Sequence, residues 1–234
     1  MAPVHRKTSS APKRHNRADG AATRSRILEC AGELFAATGY AETTAKSIAA
    51  AAQADVASIN YHFGSRAGLY QSVVIEAHRR FISRDLLATL ERSAAPARAK
   101  LELLIEALVE GALSRREWHS RVLARETFAP SSALQALARY EGLPKLEVIG
   151  RLISELTGIP LGDPAIARCL VNITTPCLVL FVAPDGVPGP LEALRRMPKA
   201  DLIAHLQRFA IAGLKATARD YIGRASPRAR GRRG

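Results

Sequence analysis

Between Thr43 and Tyr70 the chain reads TTAKSIAAAAQADVASINYHFGSRAGLY. Within it Asp55, Ala57, Ser58, Asn60 and Tyr61 fall on the expected outer face of one short helix. Those side chains suit the edges of base pairs better than a bond-breaking reaction. Asn60 can hold adenine through two hydrogen bonds, and the Ser58 hydroxyl can bond several base edges. Thr44, Lys46, His62 and Arg66 stand near helix starts, where hydroxyls, cations and backbone N–H groups take phosphate oxygens. The alternatives are that Asn60 and Tyr61 touch phosphates alone, and that the His62 ring packs on the helices beneath it.

Enzymatic chemistry finds little support. The chain has no phosphate-cradling glycine loop, no Gly-x-Ser-x-Gly elbow and no paired helix histidines, so no catalytic residue, metal or cofactor is expected. Its six histidines (His5, His15, His62, His78, His119, His205) are dispersed. Cys30, Cys169 and Cys177 lack a metal-ligand spacing. Cys169 and Cys177 lie roughly 12 Å apart along one helix, too far for a disulfide, which leaves buried thiols or a redox contact between subunits.

These side chains need a helical frame, and the hydrophobic periodicity supplies one. Ile27, Leu28, Ala31, Leu34 and Phe35 form one stripe on a helix from Thr23, stopped at Gly39. Thr43 or Thr44 caps a second helix burying Ile48, Ala49 and Ala52. A third is expected to bury Val56, Ile59 and Phe63, and Ser65 to cap a fourth over 66–90. Further helices are expected over 96–113, 118–128, 133–140 running on into 146–156, 163–182 after Asp163-Pro164, and 199–222, with a loop at 184–190. No strand pattern is present, so the fold class is all-α.

The net charge of +13 sits in the ends. Residues 1–26 carry seven cations against Asp19 alone, and residues 222–234 carry five arginines and no acid, leaving the body near neutrality. Segments 1–22 and 223–234 have little to bury and are expected to be disordered. The start of the chain lacks an apolar signal stretch, which favours a cytoplasmic protein. The longest apolar run, Cys169–Ala183, is read as a buried helix, not a membrane span.

Residues 24–70 resemble the DNA-binding domain of the TetR family of bacterial transcriptional regulators. The resemblance rests on Arg24-x-x-Ile27-Leu28, Phe35 with Gly39-Tyr40, Thr44 with Ile48-Ala49, and Tyr61-His62-Phe63. The run Ile59–Ser65 with Gly68-Leu69-Tyr70 is similar to the CecR-like branch, as is Arg125-Glu126 followed by Pro130-Ser131. The resemblance implies a helix-turn-helix domain over 23–70, a larger effector-binding and dimerisation domain over 71–222, and a homodimer on a palindromic double-stranded DNA operator. It implies repression relieved by a small molecule, with activating, ligand-independent or purely architectural DNA binding as alternatives. Three positions depart from the pattern: Gln53 replaces the usual turn glycine, Gly64 a common lysine, and Ala67 an acidic residue.

Between Ile27 and Tyr70, Lys46 and Arg66 face four acids, so the reading head is slightly acidic. The basic arm Arg6–Arg26, Arg24 included, is expected to supply the missing phosphate attraction, unless it is a solvated leader or an imprecise start. In the second domain, polar or aromatic residues within apolar stripes are the effector candidates: Trp118, His119, Arg125, Glu126, Phe128, Tyr140, Asn172 and Thr175. Each has a structural alternative, as a salt bridge (Arg125–Glu126), a core filler (Trp118) or an interface group (Asn172). Pro176 inside its helix is expected to open space. The scarcity of charge favours a mostly apolar effector, and helices 163–182 and 199–222 are expected to form the dimer interface.

Overall fold

The structure, a computed structural model, describes the backbone of residues 13–113, 118–184 and 186–225, and the side chains of 19–113, 118–184 and 186–224. Every element among these residues is helical. The chain divides into two compact units, residues 1–73 and 74–234.

The first unit contains α1 (Lys13–Glu42), α2 (Ala45–Ala51), α3 (Val56–Phe63) and the opening turns of α4 (Arg66–Phe81). Ile27, Ala31, Phe35, Ile48, Ala52, Ile59, Leu69 and Val73 are sealed in its core. Phe35 meets Tyr70 edge-on, 4.8 Å between ring centroids. Gly39 (φ 84°, ψ 173°) breaks the helical path of α1 before its last residues, a backbone setting that suits glycine. The Thr43 hydroxyl donates to the Gly39 carbonyl at 2.7 Å, and Thr44 closes α2 with a capping box shared with Ser47. Asp55 caps α3 by accepting from the Ser58 N–H at 2.6 Å.

Two expectations for this unit need correction. Val56 is 39% exposed, because it opens the first turn of α3, above the face that carries Ile59. The segment expected to be disordered is helical from Lys13, so α1 begins ten residues before Thr23, while residues 1–12 lie outside the described residues.

Gln53 holds φ 48°, the only positive φ at a non-glycine among the described residues. A β-carbon in that region costs about 1–2 kcal/mol, whereas glycine costs about 0.5–1 kcal/mol in chain entropy. Gln53→Gly should therefore raise stability by up to about 1 kcal/mol, read as a higher urea midpoint at unchanged slope.

The second unit continues with α5 (Arg84–Arg92), α6 (Ala97–Leu113), α7 (Trp118–Phe128), α8 (Ser132–Leu137), a π-helical turn (Ala138–Gly142), α9 (Leu143–Thr157), α10 (Pro164–Val182), α11 (Pro190–Arg196) and α12 (Lys199–Ala225). The central helix is α6, which packs against α9, α10 and α12 through Leu101, Leu104, Ile105, Leu108 and Val109. The expected fourth helix over 66–90 ends instead at Phe81, and the Ser83 side chain caps α5 by accepting from Asp85 and Leu86 N–H. Segment 223–225 extends α12 rather than lying in a disordered tail; residues 226–234 lie outside the described residues. Gly142 and Pro144 do not interrupt the path from α8 to α9, because the proline falls in the first turn of α9, where its missing N–H is harmless.

By length and apolarity alone α10 could cross a membrane. Its Ile166, Cys169, Ile173, Cys177, Leu180 and Phe181 are buried, and it packs on α6, α7, α9 and α12 as a core helix does. Burial pushes the Cys177 thiol up to about 12, which makes it unreactive.

Candidate functional site

Two regions of the molecule carry convergent functional groups. The first is the outer face of α3. Ile59 anchors this helix inward, while Asp55, Ala57, Asn60 and Tyr61 are exposed, Tyr61 at 85%, and Ser58 and His62 are half-buried. Tyr61 meets only the edge of the neighbouring His62 ring, 4.9 Å between centroids, among the ring contacts of the described residues, and adds nothing to the core of this unit. Thr44, the cap of α2, and Lys46 in its first turn are exposed. Asp55 is committed to capping, and its bonds from the Ser58 side chain and backbone hold its carboxyl below the usual range.

Arg66 has a structural role that its sequence position did not show. Its guanidinium donates to the Tyr40 carbonyl at 2.8 Å and the Thr43 carbonyl at 2.6 Å and lies 4.1 Å from the Tyr40 ring centroid. It ties the segment after Gly39 to the start of α4, which satisfies carbonyls that no helix claims. Arg26 does the same work at the turn, donating to the Ala52 carbonyl at 2.7 Å. Arg24 is exposed and lies 4.9 Å from the Phe63 ring centroid. Gly20 sits close enough to His62 that an added Cβ would stand 3.9 Å from the ring, so the early turns of α1 run beside the end of α3.

The second region is a cavity of about 300 Å³ inside the helical unit. Phe81, Ile82, Leu108, Leu123, Leu134, Leu137, Leu146, Ile149 and Leu178 make it mostly apolar; His78, Glu126, Thr127, Lys145 and Thr174 are its polar members. Thr174 and Leu178 flank Pro176, the residue expected to open space there.

Of the eight expected effector residues, Glu126 borders this cavity. The other seven are not among its lining residues. Trp118 and His119 are buried with their rings stacked at 3.8 Å. Arg125, Phe128 and Tyr140 are exposed, and Asn172 and Thr175 lie on the outer face of α10, with Asn172 beside a smaller void of about 80 Å³ near Phe209. Sequence periodicity finds apolar stripes, but it does not say which polar neighbour turns into a gap between three helices.

The group missed altogether is an ion cluster at one end of the cavity. Glu141, 1% exposed, receives Arg79 Nε on Oε1 at 2.8 Å and Arg84 Nε on Oε2 at 2.9 Å. Lys145, 3% exposed, stands 3.1 Å from Oε2 and also donates to the Ile82 carbonyl at 2.7 Å and to His78 Nδ1 at 3.2 Å. Arg84 further donates to the Tyr140 carbonyl. The i,i+4 pairing of Glu141 with Lys145 was the one signal visible in sequence. Burial alone would raise the Glu141 carboxyl, but hydrogen bonds from Arg79 and Lys145 and their charges hold it below its ordinary value.

Burial, reinforced by the charge on Lys145 and opposed by Glu141, pulls His78 down to about 4. Unfolded histidine titrates near 6.5, so between these values the unfolded chain binds the extra proton. The stability from this group is complete above about pH 6.5 and is lost as pH falls toward 4. The wild type should lose about 2 kcal/mol between pH 7 and pH 5, and His78→Gln should flatten that slope in urea unfolding at the two pH values.

Comparison with known proteins bears on both regions. Residues 97–214 match the family model described as the C-terminal domain of the HTH-type transcriptional dual regulator CecR, half of the chain. Residues 27–73 match the model for bacterial regulatory proteins of the tetR family. No curated protein matches the chain by sequence. Among solved structures, a TetR-like transcriptional regulator from Rhodococcus sp. RHA1 is 17% identical, with a TM-score of 0.59 over 83% of this chain and 96% of its own. The regulator FadR from Bacillus subtilis, solved with stearoyl-CoA, is 18% identical, with a TM-score of 0.58 over 81% of this chain and 98% of its own. A TetR/AcrR regulator from Thermobifida fusca YX-ER1 is 17% identical, with a TM-score of 0.56 over 81% of this chain and 97% of its own. Identities this low speak to the fold alone.

Proposed function

The chain belongs to the TetR family of DNA-binding transcriptional regulators, with a C-terminal domain of the CecR type, and on that premise we propose that it is a cytoplasmic repressor. It binds a palindromic operator as a homodimer and is released by a small, mostly apolar molecule. The observation that carries this reading is the exposure of Asn60 and Tyr61 on a helix whose opposite side is anchored by Ile59. Such a helix reads base edges when it lies in a major groove.

Dimerisation is supported by apolar side chains left in water on the last long helices: Val171 and Val179 on α10, and Phe209, 67% exposed, and Ile222 on α12. A symmetric bundle of residues 163–182 and 199–222 would cover them. Release is supported by the make-up of α4. Its early residues Leu69, Tyr70 and Val73 are buried in the first unit, while His78 and Phe81 border the cavity in the second. A ligand that prefers one placement of this helix shifts the separation of the two reading heads, and both half-sites lose their fit together.

The test is a gel shift with DNA from the protein's own upstream region, with and without candidate apolar ligands. The proposal requires a discrete shift that a ligand reverses; a shift that no ligand affects would leave a ligand-independent regulator. The basic arm adds a separate expectation, since the sequence places Lys13, Arg14 and Arg17 in the first turns of α1. Replacing all three with Gln should reduce the salt slope of operator binding by up to about 3 and weaken binding roughly tenfold or more. An unchanged slope would exclude the arm from the phosphates.

A further inference from the structure

We infer that the ligand of the 300 Å³ cavity is a small apolar weak acid, a carboxylate or phenolate, whose oxygen is held by the N–H at His78 Nε2. The inference rests on the reading of this cavity as the effector site. It follows from an inventory of hydrogen-bonding capacity on the cavity wall. Lys145 can only donate, and its three protons go to the Ile82 carbonyl, Glu141 and His78 Nδ1. That last bond makes Nδ1 an acceptor, so the ring proton sits on Nε2. Nε2 makes no hydrogen bond among the described residues, and it is not closed off from solvent.

The remaining polar members offer lone pairs. The Thr127 and Thr174 hydroxyls donate to the carbonyls of Leu123 and Leu170 in their own helices, at 2.8 and 2.9 Å. Glu126 is a carboxylate that accepts from the Ser131 N–H and hydroxyl. His78, a lining residue with one N–H left over, is thus the donor we assign to a guest, and it can serve one acceptor atom.

The local charge selects among acceptors. Arg79, Arg84 and Lys145 surround the single carboxylate of Glu141, leaving two surplus positive charges at the His78 end. An anionic oxygen gains from both the N–H and that surplus, and a bond to an ionised acceptor exceeds one to a neutral oxygen. A cationic guest would have to reach Glu126 instead. The volume lies at the small end of ligand cavities, which fits a medium chain or a single aromatic ring system. An oxygen bound at Nε2 also presses on a ring whose other face is tied through Lys145 to Glu141. Glu141 in turn holds Arg79 on α4, so the guest acts on the end of that helix.

Isothermal titration with octanoate, octanol and octylamine tests this on the full-length protein, its His78→Phe and His78→Gln variants, and circular dichroism melts to verify folding. Wild type should bind octanoate about 10-fold or more tighter than octanol. His78→Phe should erase that preference while octanol still binds, and His78→Gln, whose amide can donate, should keep part of it. Should His78→Phe fail to fold, the ¹⁵N resonance of wild-type His78 Nε2 decides, shifting distinctly more at saturating octanoate than at saturating octanol. Equal affinity for octanoate and octanol would overturn the anchor and leave the cavity as an apolar effector site. Preference for octylamine would overturn it in favour of Glu126. No binding of any of the three would overturn the reading of the cavity itself.

Discussion

Glu141→Ala should lower the stability of the helical unit by about 3–5 kcal/mol, a large fraction of what a domain has. The carboxylate is buried against Lys145, which is itself sealed, and it receives Arg79 and Arg84. Removing the anion leaves the Lys145 ammonium in a low-dielectric site beside two more cations. Burial already pulls that lysine below its ordinary range, with Glu141 opposing the shift. Arg79 and Arg84 are about half exposed and can turn to water; Lys145 cannot. The double change Glu141→Leu with Lys145→Met should therefore recover most of the loss, since apolar pairs of similar volume replace buried ion pairs at little cost. Urea unfolding reads both. A loss under about 1 kcal/mol for Glu141→Ala would mean that the cluster is solvated and does not hold the end of α4.

Gly68→Ala should abolish operator binding, with a loss of 100-fold or more. An added Cβ would stand 2.2 Å from the Phe63 carbonyl oxygen and 3.4 Å from its carbon. That contact is backbone against backbone, so no side chain can turn away; the end of α3 must move off the start of α4. Phe63 ends the helix that carries Asn60 and Tyr61, so the readout face tilts with it. The binding assay should be paired with urea unfolding, where the local strain adds a few kcal/mol of destabilisation. Retained affinity would mean that the α3–α4 corner is more plastic than its geometry allows.

The all-α architecture and most helix positions were legible from periodicity and caps. The stripe Ile27–Ala31–Phe35, the Thr44 cap and the Asp163-Pro164 start needed no knowledge of distant residues, because each is a local signal. The errors come where long-range packing decides. Leu86, Leu87 and Leu90 continue the apolar rhythm past Phe81, so the cap at Ser83 was hidden inside what reads as one helix. The π-helical turn at Ala138–Gly142 has no sequence signature, yet it carries Glu141 to three cations, two of them about sixty residues away. Arg66 is placed near phosphates by position, and the sequence did not show that its Nη1 also ties two carbonyls left open by the Gly39 break. Phe128 and Tyr140 show the same limit in reverse, since an aromatic on a helix edge reads equally well as inward or outward until its neighbours are placed.

Operator recognition as proposed requires α3 to enter a major groove with its twin one duplex turn away. Methylation interference on the upstream DNA tests that most directly, because a methyl group on guanine N7 blocks the major groove alone. The account predicts two patches of interference centred about 10–10.5 base pairs apart, or a whole multiple of that, both lost when Asn60→Ala and Tyr61→Ala are combined. Binding that ignores guanine N7 methylation, or that survives the double substitution with its sequence preference intact, would contradict it.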